Sequence, residues 1–530
     1  MKARHLLLGV TCASLLGATV LTGTAQAQDT IYVPLLTYRT GPFSGSGIPI
    51  ANGMHDYLTM LNERDGGIGG VKLNVEECET GYDTKKGVEC WESVKSKKPA
   101  VVNPYSTVIT LQIIPKAAVD KIPILSMAYG LSASAVGEKF PWVFNPPATY
   151  WDGLSMVMRY VGGKEGGLDK LKGKTVGFIF LESPYGREPL PLLQQFAKDY
   201  GFTVKEYSVA GKEMQDQSAQ WLAVRRDRPD WMIMWGWGAM NPTAVKRAAE
   251  NGYPMDHFIG IWWSGSDDDG RGGGQAAKGY LTLNFNGLGP NYPAIQDIKK
   301  HVVDKGKSQV EKDKFAENFY NRGVYNSVLV AEAIRNAQKL SGKKVVTGED
   351  VRRGLETLNI SDARWKELGF PGFAAPIVGV NCTDHNGHAP AYMQQWDGAK
   401  WVKVSDWIQP MKEKVRPMLD AAASDRAVGA QIVGLRFGHL TKHGTSDLHR
   451  RRVGFGLHAV RAGVAGAALD GVELHVHALP DQPEHLLGLP TDLLHPSMAG
   501  DVIAHLAECG LEIGLQQAVL VARDEVLERI

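Results

Sequence analysis

The chain of 530 residues is long enough for two or more domains, and its 58 Lys and Arg against 57 Asp and Glu leave a formal net charge of +1. This balance excludes the strongly basic or acidic surfaces that are typical of proteins bound to nucleic acid or to anionic membranes. After the N-terminal segment, no stretch is apolar for long enough to cross a bilayer.

The first 27 residues predict a secretory signal peptide. Lys2 and Arg4 give a positive start, an apolar run follows, and the small-residue sequence AQA at 25–27 ends it. The run is too short and too rich in Gly and Thr for a good membrane-spanning helix. We therefore expect cleavage after Ala27 and a periplasmic mature protein, with a buried N-terminal helix as the alternative.

Strand-like and helix-like segments alternate along the mature chain. Short apolar runs predict strands at 31–37, 71–78, 100–104, 122–127, 174–181, 202–209, 231–237 and 257–263. Helical spacing predicts helices between them, among others from about 189, at 217–227 and at 242–252. A long apolar helix at 325–340 and a hairpin at 389–404 follow. This order predicts two α/β lobes, each with a parallel sheet covered by helices.

Export makes a disulfide possible for the cysteines of the main body, Cys78, Cys90 and Cys382. Cys78 ends a predicted strand, and Cys90 lies in the helix-like run directly after it. We expect these two to form a bridge that contributes about 2–4 kcal/mol. The alternative is three buried free thiols.

Three motifs suggest nucleotide or metal binding but lack the required context. The segment GLDKLKGKT at 167–175 has Leu168 where a phosphate loop needs Gly, and a strand follows it instead of a helix. The acids Asp267–Asp269 lack the spacing of a calcium loop and are expected to form a solvated helix cap. The sequence DHNGH at 384–388 suits a turn on Asn386–Gly387 better than a metal site. We predict no catalytic residue, metal or cofactor.

Ligands of open α/β sheets bind beyond the carboxyl ends of the strands. Candidate positions are therefore the loops 38–47, 104–107, 126–130, 182–186, 236–241 and 262–266. In the first loop, Arg39 is either a bidentate partner for a carboxylate or a solvated surface arginine. In the last, Trp262 and Trp263 are neighbours in a predicted strand, so we expect one to face the cleft and the other the core.

Several motifs taken together resemble the leucine/isoleucine/valine-binding family, the periplasmic solute-binding proteins of ABC transporters. They are GPFSGSG, GGIGGVKLNVEECE, YDTKKGVEC, ESPYGRE and QQWDGAKW, spread over residues 30–410. The resemblance implies the type I periplasmic-binding fold, with two doubly wound parallel-sheet lobes joined by three crossovers. The implied lobes are 28–145 with 285–380, and 146–284 with 381–410.

The resemblance also implies which residues bind the ligand. On the first lobe they are Ser106, Thr107, Ala128 and Tyr129, which would hold a carboxylate through hydroxyls and backbone N–H groups. On the second lobe they are the aromatics Tyr185 and Trp237. The acid that takes an α-ammonium in the family is replaced here by Trp262-Trp263-Ser264.

The expected function is a periplasmic substrate-binding protein without catalysis, which works as a monomer with the membrane permease subunits of an ABC importer. Its ligand would be a branched-chain amino acid or a related small amphipathic carboxylate or amide. The alternatives are an exported enzyme that uses the same cleft and a ligand-sensing receptor. The segment 425–530 has a different composition, since nine of the 15 His of the chain lie there, and is expected to lie outside the binding fold.

Overall fold

The computed structural model describes residues 29–425. The predicted signal peptide with its cleavage site, and the atypical tail after residue 425, lie outside the described residues. Within the described range, no helix has the length and hydropathy needed to span a membrane.

The first lobe begins with alternating strands and helices. They are β1 (Ile31–Thr37), α1 (Ser44–Asp65), β2 (Leu73–Glu79), α2 (Thr84–Lys95), α3 (Thr107–Asp120), β3 (Ile124–Leu125) and β4 (Val143–Phe144). β1 pairs in parallel with β2, and β3 with β4, while single bridges from Leu35 to Asn103 and from Val102 to Ile124 join the two pairs. The predicted parallel sheet is therefore present.

Two strands of this sheet are shorter than predicted. The segment 100–104 forms only isolated bridges, and the segment 122–127 forms only β3. Pro104 and Pro123 lie at these places, and a proline lacks the N–H that a ladder hydrogen bond needs. The apolar pattern found the right positions but overestimated the length of the ladders.

The second lobe is built on a seven-stranded sheet. Its elements are α4 (Tyr150–Glu165), β5 (Thr175–Leu181), α5 (Pro184–Arg187), α6 (Leu190–Tyr200), β6 (Thr203–Val209), α7 (Ser218–Asp227), β7 (Trp231–Trp235), α8 (Met240–Glu250), β8 (Phe258–Gly260), α9 (Asp267–Gly272) and β9 (Leu281–Asn284). The strand order is β11-β10-β9-β8-β7-β5-β6, where β10 (Tyr392–Trp396) and β11 (Trp401–Lys403) form the antiparallel hairpin at one edge.

Between β9 and β10 the chain returns to the first lobe. It forms α10 (Pro293–Ile298), α11 (Asn318–Ser341), α12 (Gly348–Glu356) and α13 (Asp362–Glu367), and α14 (Lys412–Ser424) ends the described chain. α11 packs so closely on α1 that two glycines at the contact leave no room for a side chain. A Cβ on Gly53 would lie 2.0 Å from the Tyr320 carbonyl oxygen, and a Cβ on Gly323 would lie 2.0 Å from the Ile50 carbonyl oxygen. The chain thus passes between the lobes three times: after β4, after β9 and before β10.

The predicted disulfide is confirmed. Cys78 in β2 and Cys90 in α2 are bonded, with their Cα atoms 5.9 Å apart. The bridge ties the edge strand of the first sheet to the helix that covers it.

Candidate functional site

A small cavity lies between the two lobes. Its walls leave about 260 Å³ of space between them, part of which is open to solvent. Eight of its ten lining residues are aromatic: Tyr38, Tyr82, Tyr105, Tyr129, Tyr150, Tyr185, Trp237 and Trp263, together with Ser106 and Thr107. None of these described lining residues carries a formal charge.

The first-lobe wall is built around the N-terminus of α3. Ser106 is the N-cap, and its hydroxyl accepts from the backbone N–H of Ile109 at 3.4 Å. The Thr107 hydroxyl accepts from the Gly130 N–H at 3.2 Å and lies 3.4 Å from the Tyr150 hydroxyl. A helix N-terminus carries unsatisfied N–H groups and partial positive charge, so this wall favours a ligand group that accepts hydrogen bonds.

The loop after β3 fixes the upper rim of the cavity. The Tyr129 hydroxyl donates to Asn103 Oδ1 and accepts from the Tyr105 N–H at 2.7 Å. Ala128 has a left-handed backbone (φ 54°), and its carbonyl accepts from the indole N–H groups of both Trp262 and Trp263, at 3.0 and 3.1 Å. Ala128 therefore contacts the opposite lobe through its carbonyl and does not line the cavity.

The second-lobe wall contributes Tyr185 and the two indoles of Trp237 and Trp263. The Tyr185 hydroxyl donates to the Gly236 carbonyl at 2.9 Å. The rings of Trp237 and Trp263 meet edge to face, with centroids 5.5 Å apart. The buried indole N–H of Trp237 has no hydrogen-bond partner among residues 29–425. Because buried donors are nearly always paired and Trp237 lines the cavity, a ligand that accepts a hydrogen bond could pair with this N–H.

Trp262 and Trp263 occupy different places, although not for the predicted reason. β8 ends at Gly260, and both tryptophans lie in a single 3-10 turn, so the alternation of a strand does not apply. Trp263 lines the cavity. Trp262 is fully buried, and its ring stacks on Tyr150 with centroids 6.3 Å apart.

The structure does not bring Arg39 to the cavity. Its guanidinium makes a bidentate ion pair with Glu77, at 2.7 Å for both bonds, and donates to Asn52 at 2.8 Å. The carboxylate that this arginine was predicted to bind is thus supplied by the protein itself.

Four tyrosines that line the cavity were not named among the predicted ligand-binding residues, although the candidate loops 38–47 and 104–107 contain two of them. Tyr38 and Tyr105 lie in strand-end loops, so their position could have identified them, and Tyr82 follows the end of β2. Tyr150 begins α4, which follows the first passage between the lobes, and carries no such signal.

Burial raises the pKa of Tyr82 to about 12 and raises the pKa values of Tyr38, Tyr105, Tyr129, Tyr150 and Tyr185 well above 10. These hydroxyls therefore stay protonated at neutral pH.

The acids after Trp263 cap α9, as predicted, but they are not all solvated. Ser266 and Asp269 form a capping box, with bonds of 2.9 and 3.1 Å. Asp268 is exposed, whereas Asp269 is buried, and burial raises the pKa of Asp269 to about 7. The capping role is structural and lies behind the cavity wall.

The turn at 384–388 contains a buried charge cluster that the sequence did not reveal. His388 Nδ1 lies 2.8 Å from Asp152 Oδ1, and His388 Nε2 lies 2.9 Å from Asp384 Oδ2. Within residues 29–425, no group of three or more His, Cys, Asp or Glu side chains is arranged to hold a metal ion. The cluster joins the start of α4 to the third passage between the lobes.

A family model described as periplasmic binding protein matches residues 30–400. The chain belongs to the periplasmic binding protein family. The arrangement of two lobes around a cavity, with three passages of the chain between them, is the type I fold of this family. Proteins with this fold serve ABC transporters. No curated protein matches the chain significantly.

Solved structures agree with this family. The chain is 39% identical to a structure described as an ABC transporter permease from the Pseudomonas fluorescens group, over 76% of this chain and 98% of that one, with a TM-score of 0.71. A branched-chain amino acid ABC transporter protein from Thermus thermophilus with bound valine is 20% identical, over 73% and 99% of the two chains, with a TM-score of 0.63. A fatty acid ABC transporter substrate-binding protein from Thermomonospora curvata is 16% identical, over 73% and 94%, with a TM-score of 0.59. The last two show the fold alone.

Proposed function

We propose that this protein is the exported solute receptor of an ABC importer, which takes up one small amphipathic molecule in the interlobe cavity and delivers it to membrane permease subunits. The observation that carries the proposal is a small aromatic cavity whose walls come from both lobes. A ligand held by both walls stabilises the closed arrangement through contacts that it loses when the lobes separate.

The cavity chemistry supports a ligand without an α-ammonium group. A branched-chain amino acid needs acceptors for its ammonium, and no acidic side chain is found among the described lining residues. Ser106, Thr107 and the N-terminus of α3 instead suit a carboxylate or an amide oxygen. Within the predicted ligand class, an aromatic or aliphatic carboxylate or an amide therefore fits better than an amino acid.

The same lining supports binding without catalysis. Its polar groups are neutral hydroxyls and indole N–H groups, and they do not include the pairing of a base with a nucleophile that hydrolysis or acyl transfer requires. If the protein were an enzyme, it would convert the ligand recovered from the purified protein into a product. Incubation of that ligand with purified protein, followed by mass spectrometry, should return it unchanged.

The receptor would act in the periplasm as a monomer, after removal of residues 1–27. N-terminal sequencing of protein from the periplasmic fraction should begin at Gln28. A periplasmic protein that retains Met1 would contradict the proposed cleavage.

Mass spectrometry of small molecules that remain bound during native purification is the decisive test of the function. The released compound should rebind to the stripped protein in calorimetry, and small-angle scattering should show a more compact particle with it. A compound with an α-ammonium group would contradict the proposed ligand class. A compound that binds without compaction would contradict the receptor mechanism.

A further inference from the structure

Arg322, near the N-terminal end of α11, is a fully buried arginine. Its guanidinium donates to the Trp262 carbonyl at 2.8 Å, to Asn284 Oδ1 at 2.5 Å and to Asn286 Oδ1. Asn284 and Asn286 lie at the second passage between the lobes, and Trp262 belongs to the second lobe. Arg322 thus extends from a first-lobe helix to the hinge and to the opposite wall.

All these partners are neutral. In the described part of the chain, Arg322 forms no ion pair with a carboxylate, whereas the half-buried Arg352 pairs with Glu356 and Arg364 with Glu332 at 2.7 Å. Burial lowers the pKa of Arg322 to about 9, so the group still carries its proton at neutral pH. A buried charge without a counter-ion is costly, and a protein seldom retains one without compensation elsewhere.

The charge lies directly behind the cavity. The guanidinium carbon is 5.2 Å from the ring centroid of Trp263, which lines the cavity, and 4.2 Å from that of Phe285. The positive charge also acts on the hydroxyl of Tyr105, another lining residue. In this low-dielectric wall, the field of the charge reaches the cavity with little screening by salt.

Three features of the cavity favour the same kind of ligand group. The indole N–H of Trp237 is buried without an acceptor, the N-terminus of α3 faces the same space, and the lining holds no acidic side chain within the described residues. Each of these favours an anion or a hydrogen-bond acceptor. The predominance of aromatic rings in the small lining favours a flat ring as the rest of the ligand.

We infer that Arg322 is a specificity-determining residue that selects a ring-bearing monocarboxylate, whose negative charge compensates the buried guanidinium across the Trp263 ring. The inference rests on the proposed function and makes it more specific. Arg322 does not contact the ligand; it acts through the field at the cavity and through the position of the Trp262–Trp263 turn.

The size of the effect follows from Coulomb's law. A carboxylate in contact with the Trp263 ring would lie about 10 Å from the guanidinium carbon, and at an effective dielectric constant of about 20 two unit charges at this distance change affinity roughly 10- to 20-fold. A neutral analogue of the same shape would lack this contribution.

The test compares phenylacetate with phenylacetamide, which share their ring and carbon skeleton and differ in charge. Calorimetric titration of the wild-type protein should give at least about a tenfold preference for the carboxylate. Arg322→Gln should reduce the ratio of the two affinities roughly 10- to 20-fold, while Arg322→Lys, which keeps the charge but loses hydrogen bonds, should preserve the preference at lower affinity for both compounds.

Arg64→Gln is the matched control, because Arg64 lies at the far end of α1 and pairs with Asp65 and Asp297. It removes the same formal charge and should leave the ratio unchanged. The ratio is the decisive readout, since a merely structural role of Arg322 would weaken both compounds equally.

Each outcome decides the inference. Equal wild-type binding of the two compounds, or no binding of phenylacetate at millimolar concentration, overturns it, even if Arg322→Gln cannot be produced as folded protein. An unchanged preference in Arg322→Gln overturns the role of the residue. In each of these cases the receptor function stands as long as a co-purified molecule rebinds and closes the lobes, so the two proposals fail separately.

Discussion

Two buried regions join the lobes of this protein, and they differ in whether their charged and polar groups have partners within the chain. In the third passage between the lobes, His388 lies between Asp152 and Asp384, and Asp384 also lies 3.3 Å from Arg416 and 3.4 Å from Lys412. At the cavity, the described residues provide no charged lining side chain, no acceptor for the Trp237 N–H and no counter-ion for the charge of Arg322 behind the wall.

The difference separates a structural connection from a binding site. Buried charges that are paired within the chain fix the geometry of the hinge and have no need of another molecule. Buried polar groups without partners reduce the stability of the ligand-free protein and are satisfied when a ligand supplies the missing atoms. The following predictions test this contrast.

The largest effect on stability is expected from Asp152→Asn. Asp152 is fully buried and pairs with His388, so its loss leaves a buried cation with one carboxylate fewer and should lower the free energy of unfolding by about 3–5 kcal/mol. Thermal and urea unfolding measure this. Asp268→Asn is the control, because Asp268 is an exposed ion-pair partner of Arg271 and should cost at most about 1 kcal/mol. A similar loss in both variants would contradict a structural role that is particular to the hinge cluster.

The two neighbouring indoles should separate folding from binding. Trp262→Ala removes a fully buried ring that packs on Gly153 and Tyr150, and should cost about 3–5 kcal/mol of stability. Trp263→Ala removes a cavity wall, and should mainly weaken binding of the co-purified ligand, by about 2–4 kcal/mol. Calorimetric titration and thermal unfolding of both variants decide this. Unchanged affinity in Trp263→Ala would mean that this wall does not bind the ligand.

Stability should depend on pH through the hinge cluster. Desolvation acts against the charged form, but Asp152 and Asp384 outweigh it and raise the pKa of His388 to about 9. The ion pairs of protonated His388 contribute roughly 2–4 kcal/mol to the free energy of unfolding. This contribution is complete below the unfolded-state pKa near 6.5 and is lost as pH rises through 9. The melting temperature of the wild type should therefore fall between pH 7 and 9.5, as measured by scanning calorimetry.

His388→Gln should be less stable than the wild type at pH 6.5, and its melting temperature should fall less over the same alkaline range. Glu188 and Asp269, whose pKa values burial raises to about 7, titrate at lower pH, and Arg322, whose pKa burial lowers to about 9, titrates in the same range as His388; all three are present in both proteins. If the melting temperatures of the variant and the wild type fell in parallel with rising pH, His388 would be excluded as the titrating group.

The smallest effect is expected from Trp237→Phe. The change keeps a ring in the wall and removes the unpaired indole N–H, so stability should stay the same or rise slightly, while ligand affinity should fall by about 1–2 kcal/mol. Trp235→Phe is a matched control, since its indole N–H is also unpaired but Trp235 does not line the cavity. Loss of affinity in both variants would show an indirect effect of packing.

Both lobes contain strands that were predicted closely and strands that were not: β1 matches its predicted range, whereas β8 ends at Gly260, three residues before its predicted end. β5 and β6 match their predicted ranges within one residue, because both are uninterrupted runs in neighbouring positions of the sheet. The strands at 100–104 and 122–127 were overestimated, because prolines limit their hydrogen bonding. The pair Cys78–Cys90 was predictable because strand and helix are adjacent in sequence, so one short connection brings the two residues together.

The sequence by itself determined the alternation of strands and helices, the disulfide, and the strand-end loops that supply Ser106, Thr107, Tyr129, Tyr185 and Trp237, because these follow from local periodicity and from the geometry of parallel sheets. Tertiary structure alone decided that Trp263 lines the cavity while Trp262 is buried, that Arg39 pairs with Glu77, and that His388 lies between two carboxylates. It also placed Arg322 behind the cavity wall, 60 positions from the Trp262 carbonyl that it contacts. Which partner satisfies a buried charge depends on residues that are distant in sequence, and only the packing of the two lobes brings them together.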